Sequence, residues 1–309
     1  MTKISIIVPC YNEAESLLAF YQESERVREL LIGCDFEYTF INDGSTDRTL
    51  AILRDLQLKN PEQVHYISFS RNFGKEAAIY AGLLEGTGDY ISFLDADLQD
   101  PPELLVEMYE KIQDPEVDCV AARRTDRVGE SWLISTLSRL FYWLMNKVSD
   151  TPVISGVRDY RLMSRQMKEA VVELSEYNRF SKGLFSWVGF TTIYIDYHNV
   201  ARAAGQTKWG LMARTRYAID GFVNFSEAPL DVATYGGLAV VSFDILAVLF
   251  IIFRRLIFGD PVGGWTSTIV IILFTFGVTL TMLGVIGKYI AKIFMEVKKR
   301  PIYIIKEKK

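Results

Sequence analysis

Histidine and cysteine are nearly absent from the 309-residue chain. Two histidines, His65 and His198, are too few for a histidine-based metal centre or catalytic relay. Three cysteines, Cys10, Cys34 and Cys119, are odd in number and lack CxxC spacing, which excludes a disulfide scaffold and points to reduced thiols. No GxGxxG run opens a helix and no Walker A loop occurs; Gly86-Thr87-Gly88 falls between a helix and a strand and reads as a turn. Internal repeats and low-complexity tracts are missing as well. Met1-Thr2-Lys3 leads straight into a strand-like run, so no signal peptide is expected. With 50% hydrophobic and only 23% charged residues, the composition also excludes disordered and collagen-like classes.

Charge is unevenly spread. Residues 288–309 carry eight Lys/Arg and two Glu, a net of +6, so residues 1–287 sum to −10. Anionic headgroups would explain such a basic end, and no nucleic-acid partner is expected. Thr266 to Ile286 is a run of 21 residues without a charge, and Ala233 to Phe253 is equally long with only Asp244. At 1.5 Å per residue each run spans about 30 Å, the thickness of a hydrocarbon core. Soluble helices show a polar face and these barely do, so two membrane helices are expected rather than buried core helices. Arg254 to Trp265, with Gly259, Asp260, Pro261, Gly263 and Gly264, would be the hairpin loop. The positive-inside bias places both termini in the cytoplasm, with Arg254 and Arg255 as an outnumbered counter-signal. The expected division is a catalytic domain with interfacial helices over 1–230, a hairpin over 231–290 and a basic cytoplasmic tail over 291–309.

The first half alternates strands and helices. Ile4–Pro9, Glu37–Ile41, Val64–Phe69, Tyr90–Leu94 and Asp118–Ala122 read as strands. Helices are expected from Glu13 to about Leu31, after Ser45 or Asp47 as a cap, over Lys75–Glu85, and after Pro101-Pro102. The fold class is α/β with a mostly parallel sheet, in which ligands bind beyond the carboxyl ends of the strands.

Those strand ends hold the chemistry. Asp95 and Asp97 bracket Ala96 after a buried-looking strand; two such carboxylates repel unless a cation joins them, and oxygen ligands with open positions suit Mg²⁺ or Mn²⁺ bridging to a diphosphate. Asp43, beside Gly44, could accept a hydrogen bond from a nucleobase, while Ser45 or Asp47 caps the next helix.

Val8-Pro9-Cys10-Tyr11-Asn12-Glu13, Asn42-Asp43-Gly44-Ser45-Thr46-Asp47 and Asp95-Ala96-Asp97-Leu98-Gln99-Asp100-Pro101-Pro102-Glu103 together resemble the family 2 inverting glycosyltransferases of GT-A fold. The chain is more narrowly similar to the polyprenyl-phosphate branch, which includes dolichol-phosphate mannose synthase and bacterial undecaprenyl-phosphate glucosyl- and aminoarabinosyl-transferases. The likeness covers roughly residues 3–230, and the two C-terminal spans resemble the glucosyltransferase branch. It implies that Pro9, Tyr11, Asn12, Glu13 and Asp43 line the nucleoside pocket. Asp95, Ala96 and Asp97 would take the metal and diphosphate, with Asp97 the more direct ligand and Gln99 beside the donor sugar. Arg71 to Lys75 resembles the loop next to the nucleotide, and Lys182, Arg202 and Lys208 match positions that contact phosphates. Arg124 stands where the family has a basic residue, with Arg123 and Arg127 as competitors for that role. By the same resemblance Asp159 lies on the acceptor side, orienting a basic residue rather than acting as a base.

Processive family members carry a Gln-x-x-Arg-Trp motif, absent here. Their hydroxyl acceptor needs a general base, whereas a polyprenyl phosphate is already an anion. A nucleotide diphosphate and an acceptor phosphate bring about four negative charges into one cleft, more than one metal neutralises, so basic side chains are required. Ser131–Lys147, with Trp132, Trp143 and Arg139, and Trp209–Phe225 read as interfacial helices, Arg139 a grip for the acceptor phosphate. Packing of the first against the sheet stays open. The expected reaction moves a sugar, glucose from a UDP donor by the resemblance, onto a polyprenyl phosphate such as undecaprenyl phosphate, with inversion at C1. GDP-mannose and UDP-aminoarabinose remain open as donors, and a non-catalytic nucleotide-binding membrane scaffold is the alternative of another class. The resemblance leaves room for a homo-oligomer.

Overall fold

A computed structural model describes residues 1–125, 147, 154, 156–197, 226, 228–258 and 264–309. The expected interfacial segments, with Arg139, and Arg127, Arg202 and Lys208 lie outside the described residues.

The element order is β1 (Thr2–Cys10), α1 (Leu17–Leu30), β2 (Cys34–Asn42), α2 (Thr49–Lys59), β3 (Val64–Phe69), α3 (Lys75–Glu85), β4 (Tyr90–Phe93), α4 (Leu104–Lys111) and β5 (Cys119–Arg124). There follow β6 (Val157–Ser164), α5 (Arg165–Glu173), α6 (Ser181–Trp187), β7 (Thr192–Tyr197), α7 (Ala228–Phe258), α8 (Trp265–Val297) and β8 (Ile305–Lys308). One eight-stranded sheet runs β7-β5-β6-β4-β1-β2-β3-β8. Four pairings are parallel and three, all made by β6 or β8, are antiparallel. The sheet is therefore mixed, with the expected parallel core.

Strand alternation sorts the core into two layers. Ile4, Ile6 and Val8 of β1 face α1, α2 and α4, where Leu17, Phe20, Leu53, Leu56, Leu105 and Met108 are buried. Ile7 turns to the other side, toward Ile79 and Leu83 of α3, Met167 and Val171 of α5 and Phe185 of α6. Strands covered on both faces read as apolar runs, which is why the five early strands were legible. α1 begins at Leu17, four residues later than Glu13, and the amides of Asn12, Glu13 and Ala14 ahead of it donate to Ser45, Thr49 and Asp47. Of the two expected caps for α2, Asp47 accepts from Thr49 N at 2.9 Å while Ser45 serves the first loop instead.

α7 and α8 are long and apolar enough to cross a membrane, and their candidate spans, Ala228–Ala247 and Phe274–Val297, bury none of their residues. Leu238, Phe243, Leu249, Phe274, Phe276 and Leu283 are exposed along them, which core helices would not allow. Tyr289 Oη of α8 donates to the carbonyl of Ser226, just ahead of α7, at 2.7 Å, and α8 reaches the α/β domain where the Tyr177 and Asn178 amides donate to Glu296 at 3.0 Å.

The basic tail expected over 291–309 is not a free segment. α8 continues to Val297, and β8 then pairs antiparallel with β3 at the sheet edge. Tyr303 stacks on Phe69 with ring centroids 4.8 Å apart, Ser70 N donates to Ile304 O at 2.9 Å, and Glu307 joins Arg54 and the Tyr66 hydroxyl. Apolar Tyr303 and an unpaired strand edge outweigh the lysines' preference for solvent. Deletion of residues 301–309 is accordingly expected to lower the melting temperature and to promote association through the bared β3 edge, measured by thermal scanning and light scattering. A truncated protein that melts and scatters like the parent would show the strand to be dispensable.

Candidate active site

The carboxyl ends of β1, β2 and β4 meet at one rim of the sheet, and the first two are laced together by their turns. Asn12, at φ 55°, accepts from Thr46 N at 2.8 Å through its side-chain oxygen, and Asp43 N donates to Cys10 O at 2.9 Å. Pro9 is the penultimate residue of β1, Tyr11 is exposed just beyond the strand, and the Glu13 carboxylate accepts from Ser16 Oγ at 3.1 Å.

Asp43 is buried and receives the amides of Phe73 and Gly74 at 2.6 and 2.9 Å. Burial pushes this carboxyl up in pKa, opposed by those two amides and by Arg71. Its visible role is to fix the loop that runs from Arg71 to Lys75. Base recognition remains compatible with that role only through lone pairs the two amides leave. Gly44 is required here: at φ +64° a Cβ would lie 2.3 Å from the Arg71 carbonyl carbon. Arg71 itself lies over the Phe73 ring, 4.0 Å from its centroid.

That loop delivers Lys75, the first residue of α3, to the centre of the site. Its Nζ lies 2.8 Å from Asp95 and 2.8 Å from Asp159. Asp159 arrives because β6 runs antiparallel to β4: with Arg161 paired to Phe93, residues before 161 extend past the β4 terminus toward Asp95. Burial alone would raise the Asp159 carboxyl, but Lys75, then Lys182 and Arg161, hold it well below the usual carboxylate range. Burial likewise opposes the Lys75 charge, and Asp159 and Asp95 reverse this and push its pKa up.

Asp97 accepts from Gln99 N at 3.1 Å, across a turn in which Leu98 takes φ 55°. Among the described residues no three His, Cys, Asp or Glu side chains converge to hold a metal by themselves. Two carboxylates on one strand end fit a hard divalent ion whose other ligands are diphosphate oxygens and water. Ala96 is buried between them. Arg123 pairs with Asp196 through two bonds of 2.5 and 2.8 Å, next to Arg124 at the end of β5. Lys182 lies on α6, across from Asp159.

Sequence reasoning missed a buried group beside this centre. Asp100 is 3% exposed and joins Arg158 Nε at 3.3 Å and the Tyr197 hydroxyl. Burial pushes the Asp100 carboxyl up, with Arg158 opposing. The signal was there in Arg158-Asp159-Tyr160-Arg161, whose alternation sends Asp159 and Arg161 to one face of β6 and Arg158 and Tyr160 to the other.

The chain is similar to known proteins. The sequence model of Glycosyl transferase family 2 matches residues 5–171. Over 305 residues, 99% of this chain and 98% of the relative, the sequence is 43% identical to the SfII prophage-derived bactoprenol glucosyl transferase of Shigella flexneri. It is 41% identical over 307 residues, 99% of each chain, to the prophage bactoprenol glucosyl transferase homolog of Escherichia coli (strain K12). Among solved structures it is similar to the mannosyltransferase PcManGT from Pyrobaculum calidifontis, with a TM-score of 0.49 and 17% identity over 94% of this chain and 87% of the other.

Two substitutions probe the geometry. Gly44→Ala should displace the Arg71–Lys75 loop, lowering both the melting temperature and nucleotide affinity; unchanged nucleotide binding by calorimetry would show that the loop tolerates the shift. Lys75→Met leaves Asp95 and Asp159 facing one another without their shared cation, and removal of one such preorganised charge is expected to lower turnover by about 100-fold or more. Near-parental turnover would mean that the ammonium is only structural.

Proposed function

The chain belongs to glycosyl transferase family 2, and from that premise we propose that it transfers glucose from UDP-glucose to a polyprenyl phosphate with inversion at C1. An oxygen of the lipid phosphate attacks C1 of the sugar, the bond from C1 to the diphosphate breaks, and UDP departs. The relatives named bactoprenol glucosyl transferase, aligned over nearly the whole chain, support the sugar and the lipid class.

The observation that carries this reading is the state of Asp159. Transfer to a sugar hydroxyl calls for a base with a pKa near neutrality. Asp159 is instead held strongly ionised by Lys75, which makes it a poor base. The two site carboxyls that burial raises are closed off, Asp43 by backbone amides and Asp100 by Arg158 and Tyr197. An acceptor that arrives already anionic needs none of them, and a polyprenyl phosphate is such an acceptor.

In this reading Asp95 and Asp97 hold Mg²⁺ or Mn²⁺, which supplies neutralising charge for the diphosphate. Asp97 is the more direct ligand, since both oxygens of Asp95 face Lys75. Pro9, Tyr11, Asn12, Glu13 and the Arg71 loop form the nucleoside side, and Gln99 faces the sugar. Arg124, Arg139, Arg202 and Lys208 serve phosphates. α7 and α8 cross the cytoplasmic membrane as a hairpin, with the catalytic domain and both termini on the cytoplasmic face.

Purified protein incubated with Mg²⁺, undecaprenyl phosphate and a panel of radiolabelled nucleotide-sugars should move label from UDP-glucose into the lipid phase. Label arriving instead from GDP-mannose or UDP-aminoarabinose would replace the donor, and none from any donor would defeat the proposal. Asp97→Ala should abolish transfer, and near-normal turnover would remove its metal role. The acid limb of the rate profile should follow the acceptor phosphate, whose second ionisation lies near a pKa of about 6. Asp159→Asn should lower the rate without moving that limb; a limb that shifts with the substitution would make Asp159 the titrating group.

A further inference from the structure

A cavity of about 290 Å³ opens between β6, β7 and α6. Two cations, Arg161 and Lys182, share its wall with Val157, Phe185, Phe190 and Tyr194. Arg161 is 3% exposed. Its guanidinium lies 3.8 Å from the Phe185 ring centroid and, among the described residues, donates to the carbonyls of Asp159 at 3.2 Å and Arg158 at 3.0 Å. No carboxylate lies within ion-pair distance of Arg161 among the described residues, and burial pushes its pKa down. A buried charge without a counter-ion is costly, so the site stores an attraction for an anion.

The surroundings narrow the choice of anion. Asp159 feels Lys75, Lys182 and Arg161, while Asp95 and Asp159 are the two carboxylates facing Lys75. Three cations to two carboxylates leave one positive charge unmatched on the cavity side. Beyond the cations, the lining joins Val157, Phe185, Phe190 and Tyr194 to the hydroxyl residues Ser186 and Thr192, a mixed wall that suits a phosphate bearing a hydrocarbon chain. The volume lies at the lower end of small-molecule sites, enough for a headgroup and the start of a chain.

Location agrees. α6, which carries Lys182, follows directly on Tyr177 and Asn178, whose amides are held by Glu296 near the end of α8. Trp187, at the other end of α6, is 59% exposed, and exposed tryptophans favour the headgroup layer. The cavity thus stands beside the helix that leads into the candidate membrane span, on the face from which a lipid would come.

We propose that this cavity seats the phosphate of the lipid acceptor between Arg161 and Lys182, with its first isoprene unit against Phe185, Phe190 and Val157. The assignment rests on the reading of the chain as a polyprenyl-phosphate glycosyltransferase. Arg161 acts on the acceptor directly, and Asp159, neutralised by Lys75, separates it from the donor's strand end.

The test uses the full-length protein in detergent with farnesyl phosphate, inorganic phosphate and farnesol as probes. Lys182→Gln and Arg161→Gln should each raise the KM for farnesyl phosphate at least about tenfold while leaving UDP-glucose binding, measured by calorimetry, within about twofold of the parent. Where Arg161→Gln fails to fold, Phe190→Trp, which narrows the cavity without touching a charge, should raise the same KM. Direct binding of farnesyl phosphate to the unsubstituted protein should exceed that of inorganic phosphate and of farnesol, and weaken in Lys182→Gln. An acceptor KM unchanged in Lys182→Gln and Phe190→Trp overturns the proposal, as does an equal loss of donor binding. Inorganic phosphate binding as tightly as farnesyl phosphate would make this a free-phosphate site and also overturn it. Absence of transfer from every donor, with farnesyl phosphate still bound through Lys182, would defeat the proposed reaction and leave the lipid-phosphate seat standing.

Discussion

The ammonium of Lys75, placed between Asp95 and Asp159, is the contact on which the rest of the site depends. Two carboxylates from two neighbouring strands would repel across a half-buried gap, and a cation within hydrogen-bond reach of both turns that repulsion into cohesion. Lys75 is itself placed at long range. Asp43, at the end of β2, binds the amides of Phe73 and Gly74, and so sets where the next residue begins α3. One chain of contacts therefore ties the ends of β2, β4 and β6. Gly44 makes room for it, because any side chain there would strike the backbone of Arg71.

The same loop is braced from behind by the C-terminus. Tyr303 stacks on Phe69 and, with Ile302, packs beside Phe73, while the backbone of Ser70 bonds that of Ile304. These residues follow α8, so the segment that would leave the membrane is built into the sheet next to the Arg71–Lys75 loop. On the side of α8 the join is thus made through paired backbone and a stacked ring. A rigid join of this kind holds a cleft at a set height above a bilayer, which a reaction between a soluble donor and a membrane-held acceptor needs.

Much of this was legible because the parallel strands end in short polar turns, and the Asn-Asp-Gly and Asp-Ala-Asp runs stand out against apolar strands. What escaped had two physical causes. β6 carries Arg158, Asp159 and Arg161 in four residues and so resembles a solvated segment; its charges are buried only because Asp100, Lys75 and the Phe185 ring arrive from elsewhere in the chain. β8 holds Lys306 and Lys308, with Lys309 just after it, a composition that argues for solvent, yet an edge strand accepts lysines on its open side while its backbone completes the ladder. Asp43 shows the limit in a single residue. Its position at a strand end was readable, but the amides that occupy it come from thirty residues further along the chain.

The charge pattern is what joins the two halves of the proposed reaction. A cleft that must collect a diphosphate and a second phosphate cannot spend its cations on its own acids. Here one lysine is shared by two carboxylates, and Arg158 is matched to Asp100. That economy leaves Arg161 and Lys182 unmatched by any carboxylate within ion-pair distance among the described residues. The desolvation of Arg161 is carried in the resting protein by backbone carbonyls and an aromatic face, both weaker partners than a phosphate. An anion entering there meets donors already oriented, so the reorganisation that water would require has been done by the fold.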